Sequence, residues 1–142
     1  MRKMMLALLA TVALVGAGCG GDDEEAEALT KAEFIEQGNA ICAEGNKEIE
    51  AAAQGFPDEP SESEVETFAS DTLVPNIQEQ IDGLRDLGPP EGDEDTVEEI
   101  TSSAQEALDQ VDEDPQLLLS SDDPFNEAND LAEEYGLEEC AG

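Results

Sequence analysis

From residue 29 onward apolar residues recur every three or four positions, and no stretch alternates with a period of two. That spacing marks amphipathic helices. Four such stripes follow one another. The first is Phe34, Ile35, Gly38, Ile41, Cys42, Gly45 and Ile49. Thr30 as N-cap with Glu33 three residues on makes a capping box, and Leu29 with Phe34 makes a hydrophobic staple around it. This helix is expected to run to about Gln54 and to end at Gly55-Phe56-Pro57. Gly38 and Gly45 weaken it locally but admit a close neighbour.

The second stripe is Val65, Phe68, Ala69, Leu73, Ile77, Ile81 and Leu84, capped by Ser61 with Glu64 or by Ser63 with Glu66. Pro75 lies inside it and predicts a kink or a break. Gly88-Pro89-Pro90 is a stop, and Arg85 suits the helix C-terminus. The third helix opens at Gly92-Asp93, with Asp93, Glu94 and Asp95 at its positive end. Val97, Ile100, Ala104, Ala107, Leu108 and Val111 face inward, and Asp114-Pro115 closes it. Leu117 to Leu119 read as a short helical turn over the end of the core or as a plain connector. In the fourth, Asp123 is expected as N-cap with Pro124 at the first helical position. Phe125, Ala128, Leu131, Ala132 and Tyr135 form its stripe, and Gly136 with Leu137 its C-terminal cap. The implied fold is all-α: an antiparallel bundle of about four helices within residues 29–142.

Residues 1–28 follow a different rule. Arg2 and Lys3 precede an uncharged run from Met4 to Val15, which is too short to span a bilayer. Small residues lead to Cys19, and from Asp22 the chain turns acidic. Residues 1–18 therefore read as a signal peptide and 19–28 as an acidic tether, expected to be disordered. Leu14-Val15-Gly16-Ala17-Gly18-Cys19 resembles the bacterial lipobox, where cleavage precedes a diacylated cysteine. Gly16 departs from the usual Leu or Val three places before the cysteine. The resemblance implies lipidation at Cys19 and attachment through that lipid to the extracytoplasmic face of the bacterial cell membrane. The alternative is an ordinary secreted protein that leaves Cys19 as a thiol. The absence of a twin arginine points to general secretory export. Lys31-Ala32-Glu33-Phe34-Ile35 leading to Ile41-Cys42, with Tyr135-Gly136-Leu137 leading to Cys140, is also similar to small uncharacterised actinobacterial lipoproteins. That second resemblance implies no activity.

The cysteine count sharpens this picture. Three cysteines are an odd number for an exported chain. Lipidation of Cys19 leaves Cys42 and Cys140, which are expected to form a disulfide. A metal site would need more ligands than two isolated thiols.

Charge narrows the partners. The chain carries 38 acids against five bases, for a net charge of −33, and of the bases only Lys31, Lys47 and Arg85 follow Cys19. Such a field repels nucleic acid, so no nucleic-acid partner is expected. It also repels anionic headgroups, which favours a covalent anchor over surface adhesion. A basic protein or another envelope component is the compatible partner, and oligomeric state is not readable. The chain has no His to act as a base near neutral pH, and its serines lack a basic partner. No catalytic residue, cofactor or metal ligand is assigned. The alternative to a binding or structural role is a hard-cation protein using Asp93, Glu94 and Asp95, or Asp122, Asp123, Asn126 and Glu127. Neither cluster has the spacing or turn glycine of an EF-hand loop.

Overall fold

Thr30 caps the first helix as its sequence dictates. Its hydroxyl oxygen accepts from the Glu33 N–H, while the Glu33 carboxylate accepts from the Thr30 N–H at 3.0 Å. In this computed structural model, which describes residues 28–57 and 59–142, helix α1 spans Lys31–Ala53. Ser61 and Glu64 repeat the reciprocal cap at the start of α2, Glu62–Phe68. In both boxes the hydroxyl and then the backbone N–H stabilise the charged carboxylate, so both glutamates sit below the ordinary carboxylate range.

The chain does not stop at Pro75. It passes through a π turn, Ala69–Leu73, and continues directly as α3, Val74–Leu87, with the proline in the first turn of that segment. The Val74 N–H donates to the Ala69 carbonyl five residues back. Neither a chain break nor a loop results. The apolar spacing explains the extra residue. From Val65 through Ala69, Leu73 and Ile77 to Ile81 the step is four throughout. In an α-helix of 3.6 residues per turn those sixteen residues would drift about 160° around the axis. One wide π turn cancels most of that drift and keeps Val65, Ala69, Leu73 and Ile81 all buried.

Gly88 ends α3 at φ 73°. Helix α4 spans Glu94–Glu113, and a 3-10 turn, Pro115–Leu119, follows it. Helix α5 is Asn126–Tyr135, starting later than expected. Asp123 uses its side chain instead to accept from the Phe125 N–H at 2.9 Å, forming a turn before the helix. Gly136 closes α5 in the left-handed region, with the Leu137 N–H donating back to Ala132 at 2.8 Å and the Leu137 side chain buried. A last 3-10 turn covers Glu138–Cys140.

Contacts between helices run in opposite directions along the chain. Gly38 meets Leu84 while Gly45 meets Asn76 and Gln80, so α1 and α3 are antiparallel. Gln78 bonds Gln105 while Arg85 bonds Thr101, so α3 and α4 are antiparallel. Asp93 at the start of α4 meets Tyr135 at the end of α5. The result is an antiparallel four-helix bundle, with α2, the π turn and α3 forming one of its rods, and no strand occurs among the described residues. No helix among them is long and apolar enough to cross a membrane. The proposed leader, Cys19 and the tether through residue 27 lie outside the described residues.

Candidate functional site

Cys42 and Cys140 form a disulfide with their Cα atoms 5.0 Å apart, closing a separation of 98 residues. In the chain-entropy picture a loop this long stabilises by up to about 4.7 kcal/mol. The C-terminal turn is also held by two side chains of α1. Asn39 donates to the Gly136 carbonyl at 3.1 Å and accepts from the Glu139 N–H at 2.9 Å. Asn46 donates to the Glu139 carbonyl at 2.7 Å. Sequence reasoning missed both. Their signal is their spacing: two asparagines seven residues apart bracket Cys42 at the edge of the apolar stripe.

A second clasp gathers the ends of three helices. The Tyr135 hydroxyl donates to Asp93 at 2.8 Å, and Lys31 Nζ lies 3.7 Å from the same carboxylate and 3.9 Å from the Tyr135 ring centroid. Asp93 therefore spends its side chain on Tyr135 and makes no cap bond to α4. Burial first, then the bond to the Asp93 carboxylate, raises the phenol pKa above its ordinary value. The neighbouring Glu94 accepts from the Gly92 N–H at 2.8 Å. Two members of the first acidic cluster, and Asp123 of the second, thus already serve backbone or side-chain donors. Among the described residues no group of three or more His, Cys, Asp or Glu side chains converges on a point.

One concave feature of the bundle, and the one most enclosed by apolar side chains, lies between its two packed ends. A cavity of about 190 Å³ is bounded by the disulfide and by α1, α3, α4 and α5. Ile49, Ile77, Leu84, Ile100 and Phe125 supply its apolar wall. Ala104, Ala128 and Ala132 are the small residues that leave the room. Thr101, the buried hydroxyl on this wall, donates to the Val97 carbonyl of its own helix at 3.0 Å. The exposed lining residues, Asp123 and Gly142, mark the rim, with Asn46 and Asn129 beside them.

Compared with known proteins, the chain matches no family model, no curated relative and no solved structure.

Proposed function

We propose that this protein is a lipid-anchored, extracytoplasmic helical module of the bacterial envelope that acts without catalysis, by binding. The observation that carries the reading is the pairing of Cys42 with Cys140. It uses two of three cysteines and leaves the odd one, Cys19, behind a lipobox-like sequence. A chain this acidic gains little from adhering to anionic headgroups, so attachment falls to the lipid. The absence of His and the engagement of Asp93 by Tyr135 and of Asp123 by the Phe125 N–H favour a binding role over a reaction. The bundle interior, with its cavity, is where a ligand would be held.

Intact mass spectrometry of the membrane-associated product tests the anchor. A mature N-terminus at Cys19 bearing acyl mass is expected, and Cys19→Ala releases the protein from the membrane fraction. An acyl-free product still held at the membrane overturns the reading. Calorimetry with calcium at physiological salt addresses the hard-cation alternative, which requires saturable heat.

A further inference from the structure

We propose that the mid-bundle cavity binds one small apolar molecule, ring-sized and neutral or cationic, with its polar end at Asp123. The proposal deepens the binding reading above and does not depend on the lipid at Cys19.

Volume sets the scale. An engineered core cavity of about 150 Å³ stays dry and takes up benzene. The space here is about 190 Å³. The space opens to solvent at its rim, and along its inner apolar wall water is a poor occupant, since a buried water needs about 2–4 polar partners. The Thr101 donor is already engaged, and among the described residues no buried side-chain nitrogen or oxygen lacks a partner. An apolar body fits the Ile, Leu and Phe wall, while Asn46, Gln80, Asp123 and Asn129 of the lining can meet a polar end.

The room also comes from the sequence. Ala104, Ala128 and Ala132 occupy stripe positions where Leu would close the gap, and they come from two different helices. A natural core of ordinary density has few voids larger than a water molecule. Charge then selects among apolar ligands. Asp123 is the charged residue of the lining, and no Lys or Arg contributes to it. The chain as a whole carries −33. A carboxylate such as a fatty acid is therefore disfavoured, and an amine is drawn to the rim.

The test uses the full chain with Cys19→Ser, so that no detergent competes for the cavity. Benzene, benzylamine and benzoate are titrated while methyl NMR signals of Ile77, Ile100 and Ala104 are followed. Saturable shifts with benzene and benzylamine are expected, with benzoate weaker than benzylamine by roughly three- to tenfold. Ala104→Leu fills the space and abolishes the shifts; Ala128→Met does the same should the first variant not fold. Asp123→Asn removes the preference for benzylamine over benzyl alcohol. No methyl shift at millimolar probe, shifts that persist in both filled variants, or benzoate binding as well as benzylamine would overturn the proposal. The mass measurement on Cys19 is untouched by any of these results, so the two readings fail separately.

Discussion

The two ends of this bundle bury their apolar residues by different means. At the disulfide end, Phe34, Cys42, Leu84, Val97, Ile100, Ala132, Tyr135 and Leu137 form one fully buried cluster. Phe34 and Tyr135 pack edge to face with ring centroids 6.1 Å apart. Covalent bond, asparagine clamps and the Tyr135–Asp93 clasp surround that cluster. At the π-turn end Ala69, Leu73 and Val111 are buried together, and half-buried Phe68, Leu118 and Phe125 lean against them. Phe56 and Phe68 pair there at 5.0 Å, near the surface. The difference teaches where stability resides. One end is closed by long-range links, the other by a local adjustment of helical pitch, and the cavity lies where the two meet.

The largest effect should come from the aromatic anchors. Phe34→Ala is expected to cost about 3–5 kcal/mol, against about 1–2 kcal/mol for half-buried Phe68→Ala. Urea melts that gave equal losses would erase the distinction between the ends. Next in size, Cys42→Ala with Cys140→Ala should cost about 2–4 kcal/mol and raise amide exchange first near residues 137–140. Exchange rising first at the π turn would contradict that order.

Close approach provides a finer probe. A methyl at Gly38 would come within 2.7 Å of Leu137 Cδ2 and 2.9 Å of Leu84 Cδ2, both on buried side chains. Gly38→Ala should lose about 1–3 kcal/mol by overpacking. At Gly83 the nearest atoms belong to the Ile41 side chain, at 3.2 Å, so Gly83→Ala should be near neutral as helix propensity offsets the crowding. Matched thermal melts compare the pair.

The clasp is sensitive to alkali. Burial and the bond to Asp93 raise the folded-state pKa of Tyr135. Its contribution is therefore complete below the unfolded phenol pKa of about 10 and is lost as pH rises through the higher folded value. Tyr135→Phe should cost about 1–2 kcal/mol at neutral pH and flatten the loss of stability above about pH 10. A variant whose alkaline transition is unchanged would remove the phenol from that role. Smallest of all, Pro75→Ala should change stability by less than about 1 kcal/mol and keep the π turn, because the spacing of buried residues requires it. An NMR structure of the variant with a continuous α-helix would trace the π turn to the proline instead.

Much of the architecture was legible because its causes are local. Two capping boxes, the stops at Gly88 and Gly136 and four apolar stripes each depend on residues within a turn or two. The Cys42–Cys140 pairing was expected from the odd count of three thiols together with the lipobox resemblance that set Cys19 aside, and the disulfide is formed. Pro75 marked where the helix departs from α geometry but not the form of the departure, because proline signals a missing donor, whereas the step of four that favours a π turn spans sixteen residues. The late start of α5 was missed because Asp123 had two local bonds available, and its turn to Phe125 prevailed.

What the sequence determined by itself is helix content and most of the helix ends, since hydrogen bonding along the backbone needs no distant partner. Only tertiary structure decided that Asp93 serves Tyr135 rather than its own helix, that Asn39 and Asn46 grip the C-terminal turn, and that three alanines leave a cavity. Each of those depends on residues that the chain separates and packing brings within a few ångströms, and helical periodicity carries no record of which faces will meet.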